Sequence, residues 1–311
     1  MKSKNKHLLA IAGPTAVGKT EICLKLADNF HTEIISSDSR QFYREMEIGT
    51  AKPSPEELAR VPHHFINSLS IWDSFDVKRF EKEAIELLHV LFKNHDLVIM
   101  TGGSGLFLEV IMHGMDEIPD VDPAIRQSLI LSFEEKGIAY LQDELKKRDA
   151  VYFGSVDLNN PQRLMRALEV CIGTGKPYSA FRQKKTAKRE FETILVGLER
   201  EREVLYQRID QRMDQMIAAG LFAEAEALFP NRHLNALQTL GYSEIFSYLE
   251  GEYDYEEAVR LLKRNSRRYA KRQLTWFKRY PEMKWFHPDQ YEAIIQYVQS
   301  KLEADKSKGE S

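Results

Sequence analysis

The 311-residue sequence is poor in cysteine, holding Cys23 and Cys171 alone. They lack metal-ligand spacing, which excludes a disulfide framework or a thiolate zinc site and points to two buried thiols in a reducing compartment. Long apolar runs are also missing. None approaches the roughly 18 residues of a membrane span, so no membrane partner is expected and the protein reads as cytoplasmic. The opening "MKSKNKHLLAIAG" is basic and then apolar in the manner of a signal peptide. Its apolar part, 8–12, is too short for that role and runs straight into a glycine-rich loop, which makes it a first strand. Nor is there a surplus of one charge: 44 Lys+Arg against 47 Asp+Glu leave a net charge of −3. A case for nucleic acid must therefore rest on local clusters. No internal repeat is visible, which argues against a solenoid.

What remains is a chain long enough for a substantial core and about two domains. Over the first hundred residues, short apolar runs at 8–12, 32–36 and 97–100 alternate with helical stretches at 20–29 and near 77–93. That alternation predicts an α/β fold, a P-loop NTPase-like parallel sheet. From about 115 the texture turns helical, with segments at 123–136, 138–148 and 161–172, before the β-rich "FETILVGLER" at 191–200. The expected organisation is a catalytic core of 1–114 plus 191–311, interrupted by a mostly α-helical insertion at 115–190. Residues 201–280 read as long amphipathic helices, and the tail 301–311 as fraying into disorder at its end.

The strongest motif is "GPTAVGKT": Gly13, Pro14, Thr15, Ala16, Val17, Gly18, Lys19 and Thr20. It fits G-x-x-x-x-G-K-[ST] at every fixed position, with a strand before it and a helix after. Consecutive backbone N–H groups at a helix N-terminus cradle phosphates, the lysine neutralises them, and the hydroxyl of Thr20 is placed for Mg²⁺. Such loops serve ATP-binding proteins, so the donor's identity stays open at this point. A kinase or hydrolase would end a neighbouring strand with a Mg²⁺-binding Asp. Here "LVIMTGG" puts Thr101 in that position, while Asp38 follows the second strand in "IISSDSRQFY". Asp38 is placed as a general base or metal ligand, or as a simple turn cap.

Weaker signals accompany these. "TGGSGLF", 101–107, is a second glycine-rich turn carrying Ser104. Arg163 and Arg166 share a helix face. Arg208 and Arg212, at i and i+4, either point at the phosphate loop or form surface salt bridges. His63 and His64 have no metal-ligand set and read as a loop. The stretch 259–280 holds nine cations and no acid, with Tyr269, Trp276, Phe277 and Tyr280 interleaved. That local field suits a phosphodiester backbone, the alternative being a basic helix paired with acidic neighbours.

Together, "GPTAVGKT" (13–20), "SSDSRQFYREMEIGTAKP" (36–53), "VPHHFIN" (61–67), "TGGSGLF" (101–107), "NNPQRLMRALEV" (159–170), "LQTLGYSE" (237–244) and "YAKRQLTWFKR" (269–279) resemble the tRNA dimethylallyltransferases, also called tRNA isopentenyltransferases. The motifs occur in that family's order across most of the chain. Ser104 stands where the family often has Thr, and Asn160 where Asp is common. The resemblance implies transfer of a dimethylallyl group from dimethylallyl diphosphate to N6 of adenine 37, beside the tRNA anticodon. It implies Asp38 as base, with Lys19, Thr20 bearing Mg²⁺, Arg212 and Ser104 also catalytic. It assigns tRNA contacts to Asp38, Ser39, Arg40, Gln41, Ser104, Arg126, Gln162, Arg163, Leu164, Met165, Arg166, Lys271 and Arg272, and a monomeric enzyme is expected. The competing expectations are a nucleoside or nucleotide kinase, an adenylate isopentenyltransferase acting on free nucleotide, and a non-catalytic RNA-binding ATPase.

Overall fold

The computed structural model of the chain describes residues 6–183 and 186–309, with side chains to Ala304. By internal contacts it divides into two units, one of 1–112 with 189–311 and one of 113–188. The first begins β1 (Lys6–Ala12), α1 (Lys19–Phe30), β2 (Ile34–Ser36), a 3₁₀ turn (Ile48–Thr50), α2 (Pro55–Arg60), β3 (His63–His64), α3 (Val77–Leu91), β4 (Leu97–Gly102) and α4 (Gly105–His113). The second holds α5 (Pro123–Arg148), α6 (Ala150–Phe153) and α7 (Pro161–Thr174). The first then resumes with β5 (Phe191–Leu198), α8 (Arg202–Ala218), α9 (Leu221–Leu228), α10 (Tyr242–Leu249), α11 (Tyr255–Phe277), β6 (Lys284–Phe286) and α12 (Tyr291–Gly309).

Among the described residues six strands form one parallel sheet in the order β3-β2-β4-β1-β5-β6. Its central strands are near-continuous apolar runs because both faces are covered. Successive side chains of β1 point to opposite faces. Leu8, Ala10 and Ala12 enter a core with Phe80, Ala84 and Leu88 of α3, whereas Leu9 and Ile11 meet Ile22 and Leu26 of α1 and Ile294 and Val298 of α12. Burying each such large side chain is worth roughly 1.5–3 kcal/mol, so the two layers pin the strand register. That register delivers the ends of β1, β2 and β4 to one edge of the sheet.

The insertion unit packs α5 and α7 around Leu129, Leu141, Leu145, Leu164 and Leu168. Gly137 breaks α5 with φ 72, so 123–136 and 138–148 are distinct helices, as the sequence suggests. Asn160 caps α7 by accepting from the Arg163 N–H at 3.1 Å, with Pro161 in the first turn.

Two expectations need correction. Residues 201–280 are not simply long helices. The 3₁₀ turn Phe229–Asn231 and a turn-rich stretch separate α9 from α10. His63 and His64 form a two-residue edge strand rather than a loop, because Ile34 and Ile35 offer a free parallel edge. The tail is helical through Gly309, α12 being seeded by Ile294, Ile295 and Val298 docking on the sheet, and the fraying expected at its very end falls beyond that residue. Residues 310–311 lie outside the described residues.

Candidate active site

The phosphate loop turns from β1 into α1. Gly18 holds φ 113 at the cap of α1, a conformation that favours glycine, and Ala16 holds φ 63 despite its Cβ. A non-glycine residue so placed stores local strain, a feature that clusters at ligand-binding turns. Lys19 Nζ folds back over the loop and donates to Gly13 O at 2.9 Å and Pro14 O at 2.8 Å. Lys19 as a residue is half-buried, while its ammonium is surrounded by protein atoms. This desolvation pushes its pKa down to about 8, against the pull of Asp38 and with the push of Arg212. Thr20 is exposed in the first turn of α1.

The α8 face settles the choice left open for Arg208 and Arg212, because both reach the loop. Arg212 Nη1 donates to Thr15 Oγ1 at 3.3 Å, and Arg208 Nε to Ala16 O at 2.9 Å. Burial lowers the Arg212 pKa from its usual value, Asp38 opposing the shift and Arg208 adding to it. The acids between them face elsewhere. Asp210 pairs with Arg267 at 2.6 Å and Asp214 with Lys263 at 2.5 Å, joining α8 to α11.

Across the cleft, Asp38 stands just past the end of β2. Its Oδ1 accepts from the Arg40 N–H at 3.1 Å, so it caps the turn while still lining the cleft. Arg40 Nη1 donates to Asn235 O and Ala236 O at 3.1 and 3.0 Å. Gln41 accepts from Ser36 Oγ at 3.0 Å. Together with Ser266, Tyr269 and Gln273 of α11, these groups and the loop enclose about 660 Å³. Tyr269 is pushed up to about 12, first by burial and then by Asp38, so it presents a protonated phenol.

Thr101, where a kinase would carry its strand-end acid, spends its hydroxyl on Ile11 O at 3.1 Å. Among the described residues no group of three or more His, Cys, Asp or Glu side chains could hold a metal. The exposed Thr20 hydroxyl is a hard oxygen donor of the kind Mg²⁺ accepts. No described helix is long and apolar enough to cross a membrane.

The acid-free basic stretch is a mixed surface. Arg260, Lys263, Arg267, Lys278 and Arg279 have carboxylate partners. Arg264, Arg268, Lys271 and Arg272 have none within ion-pairing distance among the described residues, and Arg268, Lys271 and Arg272 are exposed on one helical face.

Other expected residues fall differently. Ser104 is half-buried at the start of α4 and does not line the cleft, the second glycine turn entering it through Gly102 and Gly103. Leu164 and Met165 are 0% and 2% exposed in the insertion core. Their side chains are packing groups and not surface contacts, because α7 turns them toward α5. Arg126 pairs with the buried Glu169 at 2.9 Å and also bonds Gln162, and Arg166 pairs with Glu169 too. Arg163 is exposed.

Sequence reasoning missed Gln273, whose amide accepts from the Thr15 N–H at 2.8 Å and donates to Gly103 O at 2.9 Å. Any side chain at Gly103 would collide with it. A lone glutamine in a basic helix carries no signal of its own, although it sits inside the "YAKRQLTWFKR" motif.

Comparison with known proteins agrees on one family. A sequence model described as IPP transferase matches residues 41–280. The chain is 50% identical over 299 residues to a tRNA dimethylallyltransferase of Christiangramia forsetii, covering 96% of this chain and 99% of that protein. It is 47% identical to tRNA dimethylallyltransferase 1 of Bacteroides thetaiotaomicron, with 94% of each covered. Among solved structures, the full-length tRNA isopentenylpyrophosphate transferase of Bacillus halodurans superposes with TM-score 0.73 at 37% identity, covering 98% of this chain and 100% of that one. A eukaryotic dimethylallyltransferase acting on tRNA gives TM-score 0.72 at 27% identity, over 87% of this chain and 69% of that one.

Proposed function

The chain belongs to the IPP transferase family, and from that premise we propose that it transfers a dimethylallyl group from dimethylallyl diphosphate to N6 of adenine 37 in the anticodon stem-loop of tRNA, releasing pyrophosphate. The observation that carries the proposal is the opposition within one cleft of Asp38 to a phosphate loop flanked by Lys19 and Arg212.

The exocyclic amine of adenine is a weak nucleophile because its lone pair is delocalised into the ring. As that pair forms the bond to the allylic carbon, the carbon–oxygen bond to the diphosphate breaks and its electrons leave with the phosphate oxygen. The N6 proton passes to the Asp38 carboxylate, general-base help typically worth about 10²–10⁴ in rate. Charge develops mainly on the leaving oxygens, and fixed cations aimed there lower the barrier most. Lys19, Arg212 and the loop amides fill that role, with Arg208 holding the loop at Ala16 O. Thr20 and the donor's oxygens would hold Mg²⁺, which adds Lewis-acid stabilisation of the diphosphate.

To reach the cleft, adenine must leave the anticodon stack. The exposed Arg268, Lys271 and Arg272 face supports an RNA backbone contact, as do Arg40 and Gln41 beside Asp38 and Arg163 on the insertion. In this proposal the enzyme works as a cytoplasmic monomer. Dimethylallyl transfer with Asp38 as base needs no acid at Thr101, which sets it apart from a kinase.

The test is to incubate the protein with Mg²⁺, labelled dimethylallyl diphosphate and either tRNA or AMP while following ATP turnover. Label on tRNA with negligible ATP hydrolysis is expected. ATP turnover without label transfer overturns the proposal, and label on AMP alone moves it to a free-nucleotide enzyme.

A further inference from the structure

Glu224 of α9 lies outside every motif discussed above, yet its carboxylate is saturated with donors. Oε2 accepts from the N–H groups of Glu47 at 3.0 Å and Ile48 at 2.8 Å. Oε1 accepts from the Gly49 N–H at 2.9 Å and from Tyr242 Oη–H at 2.6 Å. Three consecutive backbone donors converge on one carboxylate at the start of the Ile48–Thr50 turn, more than 170 residues away in sequence. Tyr242 is 0% exposed, and burial together with Glu224 drives its pKa far upward, so the phenol stays a donor. Its ring lies so close to Gly49 that a Cβ there would sit 2.5 Å from Cζ.

The clamped turn leads to Asp38. Its next carbonyls, Thr50 O and Ala51 O, accept from Gln41 Nε2 at 3.4 and 3.2 Å. Gln41 Oε1 accepts from Ser36 Oγ at 3.0 Å, and Ser36 Oγ accepts from the Asp38 N–H at 3.2 Å. Gly49, Thr50, Gln41 and Asp38 all line the cleft, and Glu224 does not.

We propose that Glu224, with Tyr242, is a positioning residue that fixes the 47–51 turn and, through Gln41, holds Asp38 at the distance the acceptor amine requires. The inference rests on the proposed transfer reaction and deepens it. Charge-assisted hydrogen bonds are about twice as strong as neutral ones, which suits a carboxylate to this clamp. A misplacement of about 1 Å at a reacting group can cost on the order of a hundredfold in rate. Glu224 touches no reacting atom. Its loss is therefore expected in kcat, while KM for the diphosphate donor, set by the phosphate loop, stays unchanged.

The experiment compares wild type, Glu224→Gln, Gln41→Ala and the double variant in single-turnover label transfer to tRNA, with Tyr242→Phe as a gentler variant. Alongside it, amide hydrogen exchange follows 36–42 and 46–51, with thermal melting as the stability control. Glu224→Gln is expected to lower the transfer rate about ten- to a hundredfold. On the Gln41→Ala background it should add about threefold or less, because residues acting through one path are not additive. Tyr242→Phe should lower the rate by a smaller factor in the same direction. Exchange should quicken in both segments. Additive rate losses, a rate loss that melting fully accounts for, or unchanged exchange at 36–42 would each overturn the proposal. If wild type transfers no label, the reaction itself is wrong, and the exchange data alone decide whether Glu224 governs the Asp38 turn.

Discussion

Gln273 and Thr15 are joined across the cleft by a 2.8 Å hydrogen bond, the backbone N–H of Thr15 donating to Gln273 Oε1. The other end of the same amide donates to Gly103 O at 2.9 Å. One buried side chain thus links the helix bearing Arg268, Lys271 and Arg272 to both glycine-rich turns. Leaving a buried backbone group unpaired costs roughly 1–3 kcal/mol. Gln273→Leu strands both partners, so donor affinity by calorimetry should fall about tenfold or more and the melting temperature should drop. Unchanged donor affinity and melting temperature in Gln273→Leu would show that these two contacts do not hold the loop.

The desolvated Lys19 predicts an alkaline limit on donor binding. Its pKa in the folded protein is about 8, below the ordinary 10.5. The protonated form binds the diphosphate, so affinity should hold below pH 8 and weaken as pH rises through that value. The same shift makes the unfolded chain the better proton binder between about 8 and 10.5, so the Lys19 contribution to stability rises with pH across that window. Lys19→Arg stays charged throughout and should abolish the alkaline loss, whatever it does to absolute affinity. A wild-type affinity that is flat from pH 7 to 10 would contradict this account.

Asp38 separates chemistry from binding. With the carboxylate removed in Asp38→Ala, turnover should fall by about two orders of magnitude or more. Affinity for tRNA, measured by filter binding, should largely survive. A parallel fall in both would make Asp38 an RNA contact instead of the base.

The exposed cations of α11 predict a salt signature. Replacing Lys271 and Arg272 by alanine should reduce the slope of log affinity for tRNA against log salt by about one unit per lost phosphate contact. Arg267 and Lys263, tied to Asp210 and Asp214, should leave that slope nearly unchanged and instead loosen α8 against α11. An unaltered slope in the first pair would make the basic face structural.

The legible parts of the molecule were those in which local sequence dictates local geometry. "GPTAVGKT" states both its turn and its chemistry, Asp38 is marked by the end of β2, and Gly137 breaks α5 where the pattern is interrupted. Short pairings were hidden, because the two residues of β3 and three of β6 become strands only beside an existing sheet edge. Charge sorting along α11 was equally hidden. Which cations are free depends on Asp210 and Asp214 of another helix, a relation no periodicity encodes. Leu164 and Met165 show the opposite error, a motif read as surface whose apolar members belong to the core. Glu224 and Gln273 left no trace because a single acid or amide declares its partners only when the chain is folded.

The most direct test of the central claim is nucleoside mapping after a single turnover with tRNA and labelled dimethylallyl diphosphate. After digestion, the account predicts label on N6 of adenine 37 alone, one pyrophosphate released per transfer, and loss of both in Asp38→Ala. Label at another base, or full transfer by Asp38→Ala, would contradict it.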